Sequence, residues 1–221
     1  MAPLVYLVTG ANKGIGYEIV RILSERLGDE GVILLGTRSL ENGQAALVKM
    51  KQTNPLFSYE NVQLLPLDVV NSNSIQAAAE LVKTTFGSLY ALINNAGISG
   101  DSEGADACFN VNVFGVQEVL ATFLLIMVPN QSINVVVASV VGAWTSAAMS
   151  PEHQAIFADY TSLHMPALRA LAYDWKASQD GKKPCSRGLE WTRHLVCMVY
   201  PRPWYWAWPA NLPTNIPTSR R

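Results

Sequence analysis

Thr9-Gly10-Ala11-Asn12-Lys13-Gly14-Ile15-Gly16 is the stretch that decides the fold. It follows a short apolar run, Leu4–Thr9. It precedes Gly14–Leu27, where Ile15, Ile19, Val20, Ile22, Leu23 and Leu27 recur at close to helical spacing. Glycines between a strand and an amphipathic helix allow a tight turn. They let the helix N-terminus, with its outward-pointing amides, approach a pyrophosphate closely. Gly10, Asn12, Lys13, Gly14, Ile15 and Gly16 are therefore candidate cofactor contacts.

Outward from this turn, apolar runs alternate with helical patterns. Strands are expected at Gly31–Gly36, Val62–Leu67, Leu89–Ile93 and Ile133–Ser139, with a sixth at Leu195–Tyr200. Helices are expected at Ser39–Met50 with Ser39 as N-cap, Asn73–Phe86, Ala105–Met127 and Asp159–Ser178. Strands without polar alternation are buried on both faces, and strands separated by helices pair in parallel through right-handed crossovers. The expected architecture is α/β, a Rossmann-like doubly wound sheet of about six strands in the order 3-2-1-4-5-6, in a single domain.

The chain has 221 residues, 49% hydrophobic and 15% charged, with a net charge of −1. That is one core's worth of apolar material, without the basic excess a nucleic-acid surface needs. No run of 18 or more uncharged apolar residues suggests a membrane span. Cys108, Cys185 and Cys197 have no metal-ligand spacing; they read as reduced thiols in a cytoplasmic protein, with no metal site. The charge divides unevenly: residues 1–190 carry −5, and residues 191–221 carry +4 with four of the six tryptophans and no glycine. The expected division is a nucleotide-binding domain over 1–190 and a divergent Pro/Trp-rich tail over 191–221.

The second strand ends in Gly36-Thr37-Arg38. A fold preferring NAD usually places an acidic residue there, to accept from the ribose 2′-hydroxyl. Arg38, with Lys13 in the glycine turn, suits a 2′-phosphate instead, because a guanidinium binds phosphate in bidentate fashion. The expected cofactor is NADP(H). Asp68, followed by Val69, offers a carboxylate either to the adenine amino group or as a cap for the next helix.

Asn94-Asn95-Ala96-Gly97 ends the fourth strand. Together with the glycine turn, it makes the chain resemble the short-chain dehydrogenase/reductase family, and most of all its monomeric carbonyl reductases, over roughly residues 4–175. The resemblance implies reduction of a carbonyl by NADPH, with Asn95, Ala96 and Gly97 near the cofactor. It implies that Asn112 holds a water in a proton relay, that Ser139 hydrogen-bonds the substrate carbonyl, and that Tyr160 is the general acid. The family places Lys four residues after that Tyr, one helical turn on; here His164 stands there, followed by Pro166. Three readings of His164 stay open: a protonated stand-in for Lys, a neutral partner of Tyr160, or a replacement in a dead site.

Between Ser139 and Tyr160 lies a long segment resembling the carbonyl reductase insertion, with Met149–Gln154 as the insert. Trp144, Met149 and Phe157 are candidates for an apolar wall around a hydrophobic ketone, or for ordinary loop packing. Beyond Pro201 the family's glycine is Arg202, and the next threonine is Thr214. The end reads either as a genuine divergent tail or as a frame or splice difference. The functional expectation is reduction of a hydrophobic ketone or aldehyde. The alternative is an impaired relative that binds NADP(H) without efficient hydride transfer. The expected partner is a small-molecule carbonyl substrate, with neither nucleic acid nor membrane, and oligomerisation left open.

Overall fold

The computed structural model describes residues 3–99, 102–159, 161 and 163–179. Strand β1 (Leu4–Val8) leads through the glycine turn into helix α1 (Gly14–Leu27). There follow β2 (Gly31–Thr37), α2 (Leu40–Thr53), β3 (Val62–Pro66), α3 (Ser72–Phe86) and β4 (Ala91–Asn94). The second half holds α4 (Gly104–Phe109), a π-helical turn (Asn110–Gly115), α5 (Val116–Phe123), β5 (Ile133–Val136), α6 (Val140–Ala148), α7 (Pro151–Ala158) and α8 (Met165–Gln179). The five strands form one parallel sheet in the order β3-β2-β1-β4-β5. The expected order is met as far as it is described, whereas the sixth strand and the tail lie outside the described residues.

The side chains explain why no strand alternates with polar residues. Leu7, Leu34 and Leu92 point to one face, where they meet Ile75 and Val82 of α3 and Val119 and Phe123 of α5. Val8, Ile33, Leu35, Ala91 and Ile93 point to the other, against Val20 of α1 and Ala46 and Met50 of α2. Neighbouring residues on a strand face opposite ways, so a sheet covered on both sides needs apolar residues at every position. Each fully buried Leu or Ile contributes about 1.5–3 kcal/mol. Ser39 caps α2 as expected, accepting from the Asn42 N–H, and Asn71 accepts from the Ser74 N–H at the start of α3.

Residues Gly104–Ile126 form one apolar helical stretch, long enough by length and composition to cross a bilayer. It serves here as a layer helix, with Val119 and Phe123 fully buried against α3 and the sheet. Its π turn is fixed by packing: a Cβ on Gly115 would come within 2.5 Å of the Val69 carbonyl oxygen.

The last helix departs from expectation. The spacing predicts a helix from Asp159, but among the described residues before Met165, positions 159, 161, 163 and 164 are not helical. The helix that does form, α8, lies across α4 and the π turn through three contacts. The Arg169 guanidinium sits 3.9 Å from the centre of the Phe114 ring. The Trp175 ring meets Phe109 edge-on at 5.8 Å, and Lys176 pairs with Asp106. The numbers rise on one side as they fall on the other, so α8 runs antiparallel to the helix it covers. Successive crossover helices on one face of a doubly wound sheet run parallel; α8 does not continue that pattern.

Candidate active site

The glycine turn is clasped to the end of β4. Thr9 Oγ1 accepts hydrogen bonds from the backbone N–H groups of Asn95 (3.0 Å) and Ala96 (2.9 Å). In return the Asn95 amide donates to the carbonyls of Thr9 (2.9 Å) and Gly10 (3.3 Å). Gly10 has φ +62°, and a Cβ there would stand 2.8 Å from Ala96 Cα. A Cβ on Gly16 would overlap the Asn95 amide and come within 2.9 Å of the Gly10 oxygen. The two motifs read separately in the sequence are thus one object, and their glycines are forced by its close approach. Thr9 is the residue that sequence reasoning missed, because its partners lie 86 and 87 residues away in the chain.

Above this clasp the head of α1 is open. Lys13, at the N-cap, makes no side-chain capping hydrogen bond, and the first turn carries no acidic residue. Gly14 has φ +60°, and a Cβ there would meet nothing within 4 Å. Unsatisfied amides, a positive helix end and free space together form an anion cradle. Asn12 is half-buried, and Ile15 is exposed beside the amides. Arg38 is exposed at the end of β2, and Lys13 is exposed on the turn. Across from Lys13, Glu103 is held below the usual carboxylate range. The Ser102 hydroxyl, donating at 2.7 Å, is the main cause; its own backbone amide and the Lys13 charge add to it.

Asp68 Oδ1 accepts from the Val70 N–H at 3.2 Å, a local turn, and Asn71 rather than Asp68 caps α3. Of the two readings of Asp68, the helix cap is therefore corrected. Val69 is buried and contributes its carbonyl to the seat of Gly115.

Asn112 lies in the π turn, and its amide grips the backbone of Ile98 both ways. Oδ1 accepts from the Ile98 N–H at 3.0 Å, and Nδ2 donates to the Ile98 carbonyl at 2.8 Å. The segment after Gly97 is thereby tied to the helix. Nδ2 also approaches the Cys108 sulfur at 3.2 Å. Cys185 and Cys197 lie outside the described residues.

Ser139 is half-buried just past β5, immediately before α6. The end of β5 is level with the end of β4, since the Val137 N–H donates to the Asn94 carbonyl at 2.9 Å. Ser139 therefore stands at the same edge of the sheet as Asn95 and the glycine turn. Tyr160 lies outside the described residues.

His164 takes a role that none of its three readings anticipated. Its Nδ1 accepts from the Ala167 N–H at 3.2 Å, and its carbonyl accepts from the Leu168 N–H at 3.1 Å. It caps α8. In this geometry Nδ1 serves as the acceptor for the first turn of α8. Pro166 falls in the first turn, where its missing N–H costs nothing. The insert divides likewise: Met149 is 5% exposed and Phe157 half-buried, whereas Trp144 is 63% exposed. Among the described residues no cluster of His, Cys, Asp or Glu has metal-binding geometry.

Comparison with known proteins bears on the family and the fold. The family model described as short chain dehydrogenase matches residues 4–151. The short-chain dehydrogenase anuI of Penicillium roqueforti is 38% identical over 55% of this chain and 48% of its own length. Carbonyl reductase [NADPH] 1 of Rattus norvegicus is 36% identical over 71% of this chain and 56% of its own. The chain thus spans about half the length of these curated relatives. Menthone neomenthol reductase from Mentha piperita superposes with a TM-score of 0.74 at 23% identity, over 90% of this chain and 80% of that one, a likeness of fold.

Proposed function

The chain belongs to the short-chain dehydrogenase family, and from that premise we propose that it binds NADP(H) and reduces a hydrophobic ketone or aldehyde to an alcohol. The observation that carries the reading is the open head of α1, with two exposed cations, Lys13 and Arg38, on the turn and at the end of β2. The residues present fit the cofactor. The first-turn amides of α1 would hold the pyrophosphate, Arg38 and Lys13 the 2′-phosphate, and the second oxygen of Asp68 the adenine amino group. A nicotinamide held there would supply the hydride to the carbonyl carbon. Ser139 donates a hydrogen bond to the carbonyl oxygen as charge builds on it. Tyr160 gives that oxygen its proton, so the product is a neutral alcohol. Asn112 holds the Ile98 segment at the rim of the site. The name of the rat relative, which carries NADPH, supports the cofactor choice. A cytoplasmic location goes with this reading.

A second reading rests on the His164 cap. An imidazole engaged in capping α8 stands where the family has its lysine, and a phenol's ordinary value near 10 suits neutral pH poorly without a cation beside it. An NADP(H)-binding relative with weak turnover follows. Fluorescence titration with NADPH and NADH, then NADPH oxidation with a panel of aromatic ketones, tests both readings. NADPH preference lost in Arg38→Ser supports the 2′-phosphate assignment. Binding without oxidation selects the second reading, and no nucleotide binding overturns both.

A further inference from the structure

Strands β4 (Ala-Leu-Ile-Asn) and β5 (Ile-Asn-Val-Val) are apolar except for one residue each, and those two residues meet. The Asn94 amide donates to the side-chain carbonyl of Asn134 at 3.0 Å. The register sets Asn134 opposite Leu92 and Asn94 opposite Val136, so the bond runs diagonally between the strands. It lies on the face where Leu92 packs against α3 and α5. Asn94 is 2% exposed, so its amide depends on this acceptor.

The bond distinguishes one register of β5 from its neighbours. Sliding β5 by one residue would turn its side chains to the opposite faces. Sliding it by two keeps every face and exchanges Ile133, Val135 and Val137, all β-branched and aliphatic, among themselves. The backbone ladder re-forms after such a slide. So does the bond from the Ser132 hydroxyl to the Leu89 carbonyl (2.8 Å), since every residue offers a carbonyl. The Asn94–Asn134 bond does not, because two residues of strand carry the Asn134 side chain about 6.6 Å away. A single buried polar contact among interchangeable apolar ones is a device for fixing register.

That register decides where Ser139 stands. Strand β4 is tied to the glycine turn by the Thr9 clasp and by the Thr9 N–H, which donates to the Ile93 carbonyl at 3.0 Å. Among the described strands β5 pairs with β4 alone. Its Val137 N–H bonds the Asn94 carbonyl two residues before Ser139. A two-residue slide would carry Ser139 the same ~6.6 Å along the sheet, out of hydrogen-bond reach of an oxygen placed for it. We propose that Asn134 is a positioning residue: its bond with Asn94 fixes β5 against β4 and thereby holds Ser139 level with the glycine turn. The proposal rests on the carbonyl reduction above, in which Ser139 takes the substrate oxygen.

The test compares variants of the full chain. Asn134→Leu loses the acceptor. With the aromatic ketone that wild type reduces fastest, its kcat falls about tenfold or more, while KM and NADPH affinity change less than about threefold. Asn134→Asp keeps an acceptor for the Asn94 amide and restores most of kcat. The double variant Asn94→Leu/Asn134→Leu buries no unpaired amide, so it regains stability in urea while kcat stays low. Recovery of both would mean a merely stabilising bond and overturns the proposal. The double variant also carries the test where Asn134→Leu alone does not fold. A readout apart from turnover is the methyl NOE between Ile93 and Val135, register partners in β4 and β5. It weakens in both leucine variants and persists in Asn134→Asp. An unchanged NOE in the leucine variants overturns the proposal whatever the activity. A wild type that oxidises no NADPH, with the NOE lost in those variants, sinks the reductase reading and keeps the register assignment.

Discussion

The imidazole of His164 accepts a hydrogen bond from the backbone N–H of Ala167 at 3.2 Å. A residue that sequence comparison places in the catalytic row thus stands outside the helix as its first cap. Helix α8 starts at Met165, and the described positions between Asp159 and His164 are not helical.

Replacing His164 by Lys is therefore expected to remove a cap rather than rebuild a Tyr–Lys pair. An ammonium cannot accept from the Ala167 N–H, and it adds positive charge to the positive end of a helix. His164→Lys should lose ~0.5–2 kcal/mol of stability in urea denaturation, and His164→Asn should lose less because Asn caps well. A rise in NADPH oxidation in His164→Lys would show that the cap is not the main role.

The two glycines at the head of α1 should respond differently. Gly14→Ala meets only open space, so its cost is the left-handed backbone, ~1–2 kcal/mol. Gly16→Ala drives a methyl into the Asn95 amide and the Gly10 oxygen, and is expected to open the clasp on Thr9. Thermal unfolding should rank Gly16→Ala well below Gly14→Ala; equal losses would mean the clasp contributes little.

Asn112→Ala leaves the N–H and carbonyl of Ile98 without their partners, at ~1–3 kcal/mol for the pair of lost bonds. Asn112→Asp keeps an acceptor for the N–H but sets a carboxylate against the Ile98 carbonyl. Hydrogen exchange should show faster exchange of the Ile98 amide in Asn112→Ala than in Asn112→Asp.

Far from the site, Glu25 accepts from the Tyr59 hydroxyl at 2.5 Å, from Arg21 at 2.9 Å and from Asn54 at 3.2 Å, pinning the loop before β3 to α1. Burial alone would raise the Glu25 carboxyl, but these hydrogen bonds outweigh it and hold the group below its ordinary 4.5. The folded state thus favours the carboxylate. That stability is present above pH 4.5 and is lost as pH falls through the lower folded value. Tyr59 is pushed up to about 12, by burial first and then by Glu25, so its share is present below pH 10 and is lost as pH rises through about 12. Glu25→Gln should flatten the acid limb of stability against pH, and Tyr59→Phe should cost ~1–2 kcal/mol at neutral pH. An acid limb unchanged in Glu25→Gln would place that dependence elsewhere.

Much of this protein is legible along the chain because it depends on neighbours in sequence. Leu7 beside Val8, and Leu34 beside Leu35, already require a sheet covered on both faces. Glycines spaced between a strand and a helix already mark a tight turn, and Ser39 is legible as a cap because its partner is three residues away. The position of Arg38 just past the second strand is likewise legible from the strand pattern alone.

What the sequence leaves open depends on partners distant in the chain. Thr9 clasps Asn95 and Ala96 across 86 and 87 residues, and no local pattern marks that hydroxyl. Phe109 and Phe114 receive α8 in the reversed direction, a choice made by the ring of Trp175, the guanidinium of Arg169 and the charge of Asp106. Once α8 starts at Met165, the N–H of Ala167 needs an acceptor, and His164 is the side chain that supplies it. Strand faces, turns and caps are set within a few residues by sterics and hydrogen-bond reach. The role of His164 was decided only when tertiary packing determined where a helix begins.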